Sequence, residues 1–142
     1  MKPIVKNIIA VIVGLIVGMS ANMLLVYLGM SVVDYPETVT MKDSDTIGQS
    51  IRAGEFEFKH YIFPFIAHSM QALLGAFICT KIAASNYFKL AMLIGVISLI
   101  GGIWNSMILG TSFVANIIDW IAYLPMAYLG WRLGMGSKRR VE

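Results

Sequence analysis

Between Lys6 and Asp34 the chain carries no charged side chain. An α-helix rises about 1.5 Å per residue, and about 20 mostly apolar residues cross the hydrocarbon core of a bilayer. In that solvent each backbone N–H and C=O must find its partner within the segment, so such a run has one stable form, an α-helix. A cleaved secretory leader would show an apolar stretch of about 7–15 residues and then a small-x-small cleavage site. Here the run continues through Leu24, Leu25, Val26 and Leu28. It reads as a retained first span over about residues 8–30.

The remaining sequence repeats the pattern. Apolar runs over about 61–80, 90–109 and 113–133 predict three more spans, with Lys81 closing the second. Gly110, Thr111 and Ser112 form a tight turn between the last two. Of the 142 residues 58% are hydrophobic and only 13% charged, where a soluble domain carries about 25% charge. The expected fold is therefore all-α: one domain, residues 1–142, built as a four-transmembrane-helix bundle. The 34–60 loop holds Asp34, Glu37, Asp43, Asp45, Glu55 and Glu57 against Lys42, Arg52 and Lys59. Within it Asp43 or Ser44 can cap a short amphipathic helix over about 44–53, with Ile47 and Ile51 on one face and Gly54 at its end.

Orientation follows from the basic residues. Four spans put both termini and the 81–89 link on one side, with Lys2, Lys6, Lys81, Lys89, Arg132, Lys138, Arg139 and Arg140. Positive charge stays inside, so the expected topology is N-in/C-in with the 34–60 loop outside. The net charge of +3 then reflects membrane edges. No basic patch interleaved with aromatics points to nucleic acid. A lone cysteine, Cys79, excludes an internal disulfide and reads as a small buried hydrophobe.

The order of features resembles a group of small bacterial four-helix membrane proteins to which no activity is assigned. The residues that carry the resemblance are Tyr35-Pro36 at the loop start, Ala67-His68, Gly75-Ala76 and Lys81-Ile82-Ala83 in the second span, and Leu124-Pro125 through Arg132-Leu133 in the last. Ala72 departs from the pattern, which has a glycine there. The resemblance implies a bacterial inner-membrane location and no activity.

Chemistry is confined to one depth. Counting helical rise from the outer ends, Asn22, His68, Asn105, Ser106, Asn116 and Asp119 all fall roughly 5–10 Å inside. An ionised aspartate at a helix centre costs about 2.5–3.5 kcal/mol on insertion scales. His68 is the only ionisable partner at the depth of Asp119, and an imidazole N–H donated to the carboxylate would offset both desolvation costs. Gln71 shares the face of His68; Trp120 and Tyr123 share that of Asp119. Two readings stand side by side: a structural polar clamp and a ligand or relay pocket.

Other patterns carry less. Gly14-x-x-x-Gly18, Gly75 and Gly101-Gly102 are close-packing surfaces, within one bundle or between copies. Met19 and Met23 could offer thioethers to Cu(I), but methionine is also an ordinary gap-filler. A catalytic zinc wants about three protein ligands, and His68 with Asp119 makes two, so no metal and no cofactor is expected. There is no phosphate-binding glycine loop beside a lysine, no serine nucleophile elbow and no CxxC. The leading expectation is a non-enzymatic membrane protein that binds a lipid or small ligand, or acts as an accessory subunit, with membrane lipids and a protein partner or second copy as its partners. The alternative is a small oligomeric transporter with a His68/Asp119 relay.

Overall fold

The computed structural model describes the backbone of residues 1–40, 43–111 and 113–138, and their side chains apart from 113–115, 137 and 138. These residues form α1 (Pro3–Val32), α2 (Ser44–Arg52), α3 (Phe58–Ile82), α4 (Tyr87–Leu109) and α5 (Phe113–Lys138). Three of them, α1, α3 and α4, are long and apolar enough to cross a membrane. The long helices begin at or before the apolar runs of the sequence, and α1, α3 and α5 also outlast them. The added turns are ones that capping favours and hydropathy ignores. Pro3 opens α1 at its first turn, where a missing N–H costs nothing. Glu57 and His60 open α3 with a reciprocal capping box. Lys42 and the basic residues Arg139 and Arg140 lie outside the described residues, as does the Lys138 side chain.

Small residues decide how the helices pair. Gly14 faces the Gly75 carbonyl and Gly18 the Gln71 carbonyl, so α1 and α3 run antiparallel; an added Cβ would stand 2.7 and 2.6 Å from those oxygens. Gly130 faces the Leu73 carbonyl and Ala76, and Gly134 faces Thr80, so α5 runs parallel to α3. Gly95 against Ala127 and Gly102 against Tyr123 set α4 antiparallel to α5. Helix α3 touches all three other long helices, whereas α1 and α5 do not touch each other among the described residues. The core is made of Ala10, Ala72, Ala76, Cys79, Ala83, Ala91, Ile94, Tyr123 and Ala127. Alanine in most of these places lets the backbones approach closely.

This pairing creates two ends. At the termini end, Asn7 of α1 holds the α3–α4 link: its Oδ1 accepts from the Ala84 and Ser85 amides at 2.9 and 3.2 Å, and its Nδ2 donates to Ser85 Oγ at 3.0 Å. At the loop end, α2 lies over the last turn of α4. Asp43 caps it, accepting from the Asp45 amide at 2.9 Å. Ile47 and Ile51 are half-buried, and Gly48 seats the helix, since a Cβ there would meet the Leu109 carbonyl at 3.1 Å. The α2 helix ends at Arg52, one residue short of the expected 44–53, and Gly54 follows at φ +76°. Arg52 reaches the Leu109 carbonyl at 3.5 Å, a long contact, but one that puts a cation at a helix C-terminus where the dipole favours it. Gly110, at φ +68°, turns the chain out of α4 in the left-handed conformation that glycine alone adopts freely.

Candidate functional site in the polar layer

His68 projects from α3, ten residues after Phe58, and Asp119 from α5, six residues after Phe113. Because α3 and α5 run parallel, the two side chains come together toward the loop end of the same seam. The imidazole Nδ1 and the carboxylate Oδ2 are 2.8 Å apart. Their side chains are 19% and 16% exposed, so the pair is screened on most sides yet still reachable. Tyr123, one turn below Asp119, stacks on the His68 ring at 5.8 Å between centroids and 27° between planes. It is 1% exposed, and its hydroxyl lies against Gly102, where a Cβ would meet it at 2.5 Å. Glycine at 102 is thus what admits the tyrosine that backs the histidine.

Two atoms of the pair are left open. Asp119 Oδ1 is buried with no hydrogen-bond partner among the described residues. His68 Nε2 has no partner among the described residues. A buried acceptor without a donor costs about 1–3 kcal/mol. An apolar groove of about 430 Å³ lies on the same α3–α5 seam, between Phe65, Ser69 and Met70 on one side and Ala122, Pro125 and Met126 on the other. Pro125 lies within α5, where it removes one backbone N–H from the helix, and it lines the groove.

The other candidate residues divide. Gln71, one turn below His68, donates from Nε2 to Ser98 Oγ of α4 at 3.3 Å, extending the layer across a third helix. Asn22 is half-buried, and the antiparallel register of α1 on α3 sets it level with His68; it has no hydrogen-bond partner among the described residues. Asn116 is not drawn to the pair. It closes the turn before α5, accepting from Thr111 Oγ1 at 2.8 Å and donating to the Thr111 carbonyl at 3.3 Å. Asn105 points outward and is exposed, while its neighbour Ser106 is buried and receives the Trp120 indole N–H at 3.4 Å. Among the glycines, Gly14, Gly18 and Gly75 sit in the α1–α3 seam, but a Cβ at Gly101 would meet open space. Gly102 makes that contact instead. Met19 and Met23 face away from the site at 62% and 55% exposure.

Three features escaped the reading of the sequence: the Ser98 link, the Asn7 tie and the burial of His60. A single serine in an apolar run carries no signal of its phase. Asn7 could have been noticed as the first polar residue after Lys6, one helix-length from a link of small residues at 83–86.

Comparison with protein-family models, with curated proteins and with solved structures finds no match.

Proposed function

We propose that the chain is a four-span membrane protein that binds a lipid or small ligand, alone or as an accessory subunit, through the His68–Asp119 layer. In this reading α5 crosses alongside α1, α3 and α4. Its support is its length of 26 residues and its parallel run along α3. The termini end faces the cytoplasm of a bacterium and α2 lies outside, in keeping with Lys2, Lys6, Lys81, Lys89 and Arg132 at one end and the acidic loop at the other. Single cysteines at Glu37 and Lys89 in a Cys79→Ser background would check this. An impermeant reagent on intact cells should label the first and spare the second; the reverse pattern overturns the orientation.

The observation that carries the binding role is the unpartnered Asp119 Oδ1, together with the open Nε2 of His68. A ligand that donates a hydrogen bond to the carboxylate restores what burial removes, and an attached alkyl chain fits the groove at Ser69 and Pro125. Native mass spectrometry of the purified protein tests this. Wild type should retain a lipid or small molecule that Asp119→Asn loses at unchanged helix content. Equal retention by both removes Asp119 from recognition.

The transporter reading draws on the same open Nε2. Next to a carboxylate it could hand a proton across the layer. Proton flux in proteoliposomes that His68→Gln abolishes would favour transport over binding alone.

A further inference from the structure

The His68–Asp119 pair is bonded on one side only, and the atoms left over have a definite chemistry. A carboxylate only accepts, so the hydrogen of the 2.8 Å contact sits on His68 Nδ1. That contact needs no second ring hydrogen, and a neutral ring leaves Nε2 with a lone pair. Asp119 Oδ1, buried and without a partner among the described residues, has lone pairs of its own. The pair therefore holds two acceptors and one negative charge to spare.

No lysine or arginine of the long helices is placed to meet that charge. The imidazole is the ion-pair contact of Asp119 among the described residues. Between Lys59 and Lys81 α3 has no basic side chain but His60 and His68, and α5 has none before Arg132. The Lys6 of α1 and the Lys89 of α4 lie in turns at the termini end. Arg52, the basic residue of α2, is turned to the Leu109 carbonyl.

We propose that the ligand of this pair has a primary ammonium head borne on an alkyl chain. The proposal rests on the reading of the pair as a ligand site and gives that ligand a chemical class. An ammonium donates one N–H to Oδ1 and a second to Nε2, and its charge offsets that of the carboxylate. Other heads meet only part of this. A hydroxyl has one hydrogen and no charge. A quaternary ammonium has the charge and no N–H. A carboxylate or phosphate head brings a second negative charge to a half-buried aspartate, which burial makes costly.

The chain follows from the surroundings. The groove of about 430 Å³ begins beside the pair: Ile66 and Ser69 flank His68 along α3, and Ala122 follows Asp119 by three residues on α5. Apart from Ser69 its walls are hydrocarbon and thioether. A head without a chain leaves those walls unused, so the class is an amphiphilic amine and not the ammonium ion itself. An ethanolamine phospholipid of the bilayer and a free alkylamine share this chemistry.

The full chain in discs of phosphatidylcholine, whose own head has no N–H, tests it at about pH 7, where an alkylamine is protonated as lysine is. Dodecylamine, dodecanol, dodecyltrimethylammonium and dodecanoate carry one chain and differ at the head. Native mass spectrometry reads how much of each the protein retains. Dodecylamine should be retained about tenfold above the others, the scale of a hydrogen bond to a charged group. Asp119→Asn, at unchanged helix content, should bring it down to the level of dodecanol. If dodecanol or dodecanoate is retained as well as dodecylamine, and Asp119→Asn loses it, the ammonium head is overturned and the site stands. If Asp119→Asn alters the retention of no probe, head and site both fall. Discs that contain phosphatidylethanolamine tell the two sources apart. Displacement of dodecylamine there supports the lipid as occupant, and undiminished retention supports a free amine.

A second measurement needs no variant. In the wild-type chain with 15N-labelled histidine, dodecylamine should move the His68 Nε2 resonance away from that of a bare ring nitrogen. The His60 ring is the internal reference, since its nitrogens already lie 2.7 Å from the Glu57 N–H and 3.0 Å from the Asp34 carbonyl. A His68 Nε2 that carries a hydrogen before the amine is added, or one that stays fixed while the amine is retained, overturns the two-point contact.

Discussion

The two halves of the bundle hold together by opposite means. Toward the termini end the seams between the long helices close by shape: Gly14 on the Gly75 carbonyl, Gly130 on the Leu73 carbonyl, Gly134 on Thr80, around a core of alanines and Cys79, with the Asn7 tie beyond them at the α3–α4 link. Toward the loop end the same α3–α5 seam is bridged by a histidine and an aspartate, with Gln71–Ser98 and Trp120–Ser106 beside them. The first kind of contact tolerates no added atom but needs no particular chemistry. The second leaves Asp119 Oδ1 without a hydrogen-bond partner among the described residues, which costs stability. The dry half fixes the helix geometry, and the polar half can then hold His68, Asp119 and Tyr123 in register without closing around them.

The sharpest way to break this contrast is to add volume to the dry half. Leucine at Gly14 would drive its Cβ to 2.7 Å from the Gly75 backbone oxygen, which cannot rotate away as a side chain would. Overpacking typically costs about 1–3 kcal/mol, occasionally more. Gly14→Leu should lie at the upper end and part α1 from α3, read as a loss of unfolding free energy in mixed micelles. Gly101→Leu is its control, since a Cβ there meets nothing within 4 Å. Equal losses for both would mean that close packing is not what joins α1 to α3.

The polar half should respond through coupling. His68→Ala and Asp119→Ala each strand the other partner, so the double variant should cost less than the sum of the two. Hydrogen bonds between membrane helices give about 0.6 kcal/mol on average and up to about 1.7. A coupling of about 1 kcal/mol or more in a double-mutant cycle is expected for a 2.8 Å pair of this kind. Strictly additive losses would reduce the pair to a coincidence of position.

Depth was legible in the sequence and azimuth was not. Counting residues from a helix end places His68, Asp119 and Asn22 in one layer, because helical rise is constant. Which side of the helix each residue faces needs a periodic pattern, and α4 is apolar all round, so it has none to read. The consequence falls on adjacent residues about 100° apart. Gly101 faces out where Gly102 takes Tyr123; Asn105 faces out where Ser106 takes Trp120. The reach of Asn116 back to Thr111 was hidden for another reason: an asparagine near a helix start can always satisfy the local turn instead of a distant partner. The burial of His60 was hidden because the partners of its ring are backbone groups, and no residue type announces those.

The smallest expected effects separate two asparagines that hydropathy treats alike. Asn7 makes three hydrogen bonds to the α3–α4 link, which turns through Asn86 at φ 53°, a conformation few side chains favour. Removing those bonds leaves the Ala84 and Ser85 amides to find other acceptors at the edge of the bundle. Asn7→Ala should therefore cost about 1 kcal/mol and speed amide exchange at residues 83–86. Asn105 is exposed and has no hydrogen-bond partner among the described residues, so nothing in the bundle depends on its amide. Asn105→Leu should stay within about 0.5 kcal/mol of wild type, as surface substitutions do. A loss above about 1 kcal/mol at Asn105 would mean that this face of α4 is covered in the membrane by another molecule, and the inward-facing layer would then not be the protein's only polar contact at that depth.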